Sequence, residues 1–283
     1  MDNLQDIEIQ EQSMGTLVGL TNVFESIASI QIARVKNQTI LSKAYFSELW
    51  RIYNQIRVDS DFHMGRAEQE NQTIKKDLIV IITAEGGFSG DIDEKLISVM
   101  LQKYDEAQQD IIVIGHHGAI RLAQLGVHFK RYYKLPTHDS DINVNPIVNE
   151  AQKYRSTLVY YQTYVSLMVQ DIKHIELKHA VEEEGQAVAE GEEEISEQNY
   201  IFEPSSYAVI DHLERSMMHI TLSQVILESK LAQYASRFRA MNSAKDKAKT
   251  SLSDVKMSHN KVKRRIRDER IKETINSLRS LAR

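Results

Sequence analysis

Near the C-terminus the apolar positions repeat on alternating steps of three and four. Phe238, Met241, Ala248, Leu252, Val255, Val262 and Ile266 fall on this series, with Lys245 and His259 interrupting it, and Ile271, Ile275 and Leu278 resume on a shifted stripe. Neither glycine nor proline occurs from Ser205 to Arg283, and Pro204, at the end of a loop, is the last of only three prolines. One continuous helix over Tyr207–Arg283 would run about 115 Å. A seam of 3.5-residue period needs a partner helix to bury it. The N-terminal segment supplies a candidate. From Leu20 to Met64 there is again no glycine or proline, and Leu20, Phe24, Ile27, Leu41, Leu49, Ile52 and Ile56 have helical spacing. Gly15 and Gly19 loosen its start and Gly65 ends it. Two terminal helices flanking an inserted domain pair most simply as an antiparallel coiled coil, with Ile27 and Leu252 expected on the seam.

The middle of the chain has another period. Residues 77–84 (DLIVIITA) and 110–115 (DIIVIG) are short β-branched runs, as buried parallel strands should be. Helix-like stretches follow at 91–106 and 117–125. Residues 128–135 read as a third strand, 145–156 as a helix behind Pro146, and 157–177 as an antiparallel strand pair. The expected fold class is α/β plus long α: a doubly wound, Rossmann-like domain inserted between the helices of an antiparallel coiled coil. The expected boundaries are 1–66 for the N-terminal helix, 76–200 for the α/β domain, and 205–283 for the C-terminal helix.

Composition narrows the function. Cysteine is absent among the 283 residues, which removes disulfides and thiolate metal sites. The acidic start MDNLQDIEIQEQ does not read as a signal peptide, and no uninterrupted apolar run of about 18–20 residues is evident, so no membrane span is expected. A soluble, intracellular protein is the expectation. The net charge of −5 hides an asymmetry: residues 239–283 carry fourteen Lys and Arg against five Asp and Glu, whereas 182–197 hold eight glutamates and no base. The acidic stretch reads as a solvated loop.

The turn EGGFSG after the first strand sits where phosphate loops occur, but it matches neither G-x-G-x-x-G nor G-x-x-x-x-G-K-[ST], and Asp91 spoils a G-x-S-x-G elbow. A tight turn explains its glycines better than a nucleotide site. The histidines form no H-E-x-x-H. His116 and His117, being adjacent, should point to different sides, and His212 and His219 lack a third ligand. Glu85, Asp91 and Asp93 read as loop and helix-start acids. The reading is therefore of no catalytic residues, no cofactor, no metal and no small-molecule ligand.

Several segments resemble the gamma subunit, the central rotor shaft of F-type ATP synthases. YIFEPS at 200–205 and ILESKLAQYASRFRAMNSAKDKA at 226–248 are similar to that family's Y-x-F-E-P-S and L-x-E-x-x-A-S-E-x-x-x-R-M-x-A-M-x-x-A segments. Residues 260–281 resemble its N-x-x-R-Q ending, ITAEGGFSGDID at 82–93 resembles a loose S-D-R-G-L-x-G-G-[FY]-N loop, and Leu4, Asp6, Ile7, Thr21 and Ala28 fit its N-terminal pattern. The resemblance covers essentially the whole chain. Departures mark a divergent member: Glu8, Glu11 and Glu25 intrude on a usually basic helix, Asp91 and Asp93 replace Gly and Asn, and Arg265, Arg267 and Arg270 are gained.

The resemblance implies a peripheral subunit on the cytoplasmic face of the energy-transducing membrane, turning inside a ring of alpha and beta subunits. Its α/β foot would meet the epsilon subunit and the membrane rotor ring. Proton- or ion-driven rotation would thereby be coupled to ATP synthesis or hydrolysis on the beta subunits. It also implies a subunit-contact band at Asn260, Lys261, Lys263, Arg264, Arg265 and Arg267. From the residues alone two alternatives stay open. One is a nucleic-acid-associated coiled coil using the basic helix 261–272; the other is a small nucleotide-binding α/β enzyme with helical arms.

Overall fold

The computed structural model describes residues 4–55, 74–135, 143–186, 203 and 205–281. Its elements in chain order are α1 (Leu4–Gln55), β1 (Asp77–Ile82), α2 (Ile92–Leu101), β2 (Gln109–Ile114), α3 (His116–Gln124), β3 (Arg131–Tyr133), α4 (Asn145–Ala151), β4 (Thr157–Tyr164), β5 (Gln170–Glu176), α5 (Leu177–Gln186) and α6 (Ser206–Leu281). The two terminal helices are 52 and 76 residues long. They contribute to two units: Met1–Ala28 with Phe238–Arg283, and Ser29–Arg237. Ile56, Gly65, Pro204 and the glutamates of the acidic stretch from Glu190 to Glu197 lie outside the described residues.

The unit Ser29–Arg237 is built on a five-stranded sheet of order β3-β2-β1-β4-β5, parallel except for the antiparallel β4–β5 pair. Side chains alternate across a strand, so each β-branched run feeds two cores. Leu78, Val80 and Ile82 of β1, with Ile112 and Ile114 of β2, face Phe46 and Trp50 of α1 and Met217, Leu222 and Ile226 of α6. Ile79, Ile81, Ile111 and Val113 face Leu96, Ile97 and Met100 of α2 and Leu122 of α3. The expected α/β layer is thus present. Its third strand and first helix are shorter than the sequence suggested, its second helix is displaced by one residue at the same length, and helix 145–156 stops at Ala151 so that β4 can begin at Thr157. The first part of the acidic stretch is not loop: α5 runs to Gln186 because Leu177 and Val181 are buried against the sheet.

One glycine approach fixes how β1 meets α3. The Thr83 hydroxyl donates to Ile114 O at 3.0 Å and accepts from Gly118 N at 2.9 Å. A Cβ on Gly118 would lie 2.6 Å from that hydroxyl, and one on Gly115, at φ +98°, would lie 2.0 Å from Thr83 O. These positions need glycine for space, and Gly115 also for its backbone.

The other unit pairs the start of α1 with the end of α6. Positions Leu4, Ile7, Glu11, Met14, Val18, Thr21, Glu25 and Ala28 are all buried or half-buried, on alternating steps of three and four. Across from them lie Phe238, Met241, Lys245, Ala248, Leu252, Val255, His259, Val262 and Ile266, again buried or half-buried. The C-terminal stripe is the one expected. The N-terminal stripe is not: Ile27 is 45 % exposed and Leu20 51 %, while Ala28 is 1 % exposed. Large apolar side chains suggested the wrong face, because the seam of α1 is made of smaller and even acidic residues. Gly15 and Gly19 do not loosen the helix, which runs through both from Leu4. Ser13, Thr16, Thr21 and Ser26 each donate to the carbonyl four residues back, which leaves the buried Thr21 hydroxyl satisfied.

Within Leu4–Gln38 one 18-residue window reaches a mean hydropathy of 1.2, so by length and composition α1 could cross a membrane. The expectation of no such segment is corrected here: hydroxyl and glycine residues break up the apolar run without lowering its average enough.

Candidate contact surface and the α/β cleft

The seam carries polar breaks on both helices, and they meet. Lys245 forms an ion pair with Glu25, both largely buried. His259 Nδ1 lies 2.9 Å from Glu11 Oε2, and its Nε2 lies 3.6 Å from Glu8. Glu11 and Glu25 are fourteen residues apart on α1, as are Lys245 and His259 on α6, in reverse order. The pairing is therefore antiparallel with a single offset. That offset brings Leu4 level with Ile266, so Ile271, Ile275 and Leu278 have no counterpart among the described residues of α1. All three are exposed, 45–61 %, which corrects their expected place on a continuing stripe. The acids that looked like intrusions on a basic helix are the partners of Lys245 and His259, the residues that interrupted the apolar series of α6.

Around this seam Asn260, Lys261, Lys263, Arg264, Arg265 and Arg267 are all exposed on α6. Val262 and Ile266 point inward between them. Arg265 is held by Glu269 one turn on, at 3.2 Å. On α1, which has no Lys or Arg before Arg34, the outward side bears exposed Ile9, Leu17, Leu20, Val23 and Ile27. One helix thus offers a cationic surface and the other a largely apolar one with exposed Asp6 and Glu8 near its start.

In the α/β unit the turn after β1 is filled by the chain's own groups. Glu85 accepts from His116 N at 3.1 Å and Leu135 N at 3.3 Å, so a carboxylate already sits at the N-terminus of α3, where a phosphate would bind. Tyr132 also donates to Glu85, at 3.3 Å. Arg237 donates to the Gly86 and Gly87 carbonyls, and the Ser236 hydroxyl donates to Ser89 O at 2.6 Å. The sequence assigned Glu85 to a loop; its role is to cap the next helix along. Asp91 pairs with Lys95 at 2.8 Å, as a helix-start acid should.

Asp93 is different. It is 7 % exposed, accepts from Ala84 N and from Gln162 Nε2 at 2.8 Å, and faces His117 Nδ1 at 3.1 Å. That hydrogen bond raises the His117 pKa; burial opposes it, the Asp93 charge reinforces it, and Arg237 works against it. His116 turns the other way, toward the Tyr132 ring, as adjacent residues must. A shallow cleft of about 300 Å³ between α2 and α3 is lined by Asp93, Glu94, His117 and Arg121. No sequence motif marks this pair, because residues 93 and 117 are brought together only by the sheet. His219 is half-buried with its pKa lowered by desolvation, and His212 is exposed. Among the described residues no three His, Cys, Asp or Glu side chains are grouped to hold a metal.

Comparison with known proteins agrees with this architecture. The ATP synthase family model matches residues 3–278. The ATP synthase gamma chain of Chlorobium phaeobacteroides (strain BS1) is 23 % identical over 281 residues, covering 93 % of each chain. That of Alkaliphilus metalliredigens (strain QYMF) is 24 % identical over 294 residues, covering 98 % of each. The fold is shared with a chain of the Euglena gracilis mitochondrial ATP synthase, OSCP/F1/c-ring, in rotational state 3. The TM-score is 0.62 at 12 % identity, over 97 % of this chain and 94 % of that one. A chain of the Euglena gracilis rotor in rotational state 1 gives a TM-score of 0.60 at 14 % identity, over 92 % and 98 %. With paired terminal helices, an inserted parallel sheet and a family match over nearly its full length, the chain belongs to the gamma-subunit, central-stalk family of F-type ATP synthases.

Proposed function

We propose that this chain couples ion-driven rotation of a membrane ring to ATP synthesis or hydrolysis on surrounding beta subunits, acting as a shaft without chemistry of its own. The observation that carries the reading is the antiparallel pairing in the Met1–Ala28 and Phe238–Arg283 unit, whose charged breaks match at one offset. Torque needs an element that neither slips nor bends, and matched polar pairs penalise every other register. In this reading the ends 1–66 and 205–283 form the shaft. Residues 76–200 form a foot for the epsilon subunit and rotor ring, and the chain sits peripherally on the cytoplasmic face of the membrane. The exposed apolar side of α1 would then lie against the inner wall of the alpha–beta ring.

The contact band is Asn260, Lys261, Lys263, Arg264, Arg265 and Arg267, facing acidic loops of the beta subunits. Like charge at this density repels itself and is better tolerated beside carboxylates. Each exposed contact contributes about 0–1 kcal/mol, so single alanine changes are expected to be silent. The test is reconstitution of the whole complex with Lys261→Glu, Lys263→Glu and Arg264→Glu together. Rotation should uncouple from hydrolysis while the chain still assembles; normal coupling would reduce the band to a solvated face.

The absence of a nucleotide site is supported by the Glu85 carboxylate at the start of α3. Calorimetry of the isolated chain with Mg-ATP, NAD or GTP should give no saturable heat, and a stoichiometric low-micromolar site would overturn that part of the reading.

A further inference from the structure

The Asp93–His117 pair continues inward. Gln162 is fully buried on β4; its Nε2 donates to Asp93 Oδ1, and its Oε1 accepts from the Ser229 hydroxyl at 2.5 Å and from Gln233 Nε2 at 3.4 Å, both on α6. Gln233 also donates to Ser229 at 3.0 Å. Ser229 and Gln233 are themselves buried. A polar chain therefore runs from a partly exposed imidazole, through a buried carboxylate and amide, to the face of α6 that seats on the sheet.

We propose that Asp93 and His117 form a proton-operated latch that fixes the seat of α6 on the α/β sheet through Gln162.

The logic follows from donor and acceptor capacity. An ionised carboxylate can only accept, so it turns the Gln162 NH₂ toward itself and the carbonyl toward α6, where two donors wait. His117 in its charged form compensates the buried Asp93 charge. When the imidazole loses its proton, that charge loses its nearest cation, and a half-compensated buried network is weaker than a complete one. Other charges around His117 are Glu85 in the turn after β1, Glu94 on α2, Arg121 on α3 and Arg237 on α6. Glu94 and Arg121 pair with each other at 2.7 Å, Glu85 is engaged by backbone amides, and Arg237 is bound to the Gly86 and Gly87 carbonyls. None of these replaces His117 at Asp93 Oδ2. Because the folded-state pKa of His117 is raised, the latch is fully set below about 6.5 and is lost as pH rises through the folded value. All its residues lie within Ser29–Arg237, and it does not depend on whether the chain turns.

Hydrogen exchange on the full chain tests it, with rates corrected for intrinsic pH dependence. Amides of residues 229–237 should lose protection several-fold as pH rises past the His117 midpoint. His117→Gln should show the low protection at every pH. Asp93→Asn should remove the step while keeping protection, since its carbonyl still accepts from Gln162. A step that survives in Asp93→Asn, or flat protection in the wild type, overturns the latch. If either variant fails to fold, NMR on the unaltered chain decides. The Gln162 side-chain amide signals must follow the His117 imidazole titration, and signals that stay fixed through it overturn the proposal.

Discussion

His259 on α6 sits between Glu11 and Glu8 of α1, with Nδ1 2.9 Å from Glu11, at a seam position where an aliphatic side chain would fit the heptad. Fourteen residues back along α6, Lys245 meets Glu25 in the same manner. Polar groups inside a coiled-coil seam weaken it but select its register. A slip of one heptad would set Lys245 beside Val18 and leave all the charges without partners.

Removing one member of the Lys245–Glu25 pair should therefore cost more than removing both. Glu25→Leu alone should destabilise by about 1–3 kcal/mol, because Lys245 stays partly buried and uncompensated. The double change Glu25→Leu with Lys245→Leu should be near neutral or stabilising. Thermal melts of the wild type, the two single variants and the double variant, followed by circular dichroism at 222 nm, complete the cycle, and a double loss equal to the sum of the single losses would show that the pair is not coupled.

The position of the seam gives a second test. Ala28→Asp should loosen the pairing of α1 with α6, since that side chain is enclosed. Ile27→Asp should leave pairing intact, because the added charge faces outward. Proteolysis of α1 in the full chain reads this directly: faster cleavage in Ile27→Asp than in Ala28→Asp would reverse the assignment.

Glycines separate by environment. Gly15→Ala and Gly19→Ala meet no atom within 4 Å of the new Cβ and should each stabilise α1 by roughly 0.5–1 kcal/mol. Gly115→Ala meets a carbonyl oxygen at 2.0 Å and should impair folding outright. Expression yield and melting temperature distinguish the three.

A charged network at the other end of the sheet predicts acid sensitivity. Lys130 Nζ lies 2.6 Å from Glu150 and 2.8 Å from the Tyr154 hydroxyl, which donates to Asp110 at 2.8 Å; Asp110 also accepts from Lys76. The hydrogen bond from Lys130 holds the Glu150 carboxyl below its usual range against the effect of burial. Burial pushes Asp110 up, but hydrogen bonds from Lys76 and Tyr154 outweigh it and lower its pKa. Depressed carboxyls contribute stability above their unfolded values, near 3.8 and 4.5, and lose it as pH falls through the folded ones. The melting temperature should therefore drop as pH falls below about 4.5. Tyr154→Phe should cost about 1 kcal/mol at neutral pH and shift the acid transition upward by removing a donor to Asp110. An unchanged acid transition would place the sensitivity elsewhere.

Periodicity alone determined the long helices, the parallel strand runs and the seam of α6, because burial of a repeating apolar face is written in the spacing of residues such as Met241, Ala248 and Leu252. It misplaced the seam of α1, because Leu20 and Ile27 are more hydrophobic than Thr21 and Ala28, and the choice between two faces is made by the partner helix. Sequence likewise marked Glu11, Glu25, Lys245 and His259 as exceptions without showing that they answer one another. Their complementarity exists only once an antiparallel offset is set. The Asp93–His117–Gln162 chain was illegible for the same reason: its members come from α2, α3 and β4, and only closure of the sheet brings them within hydrogen-bonding distance.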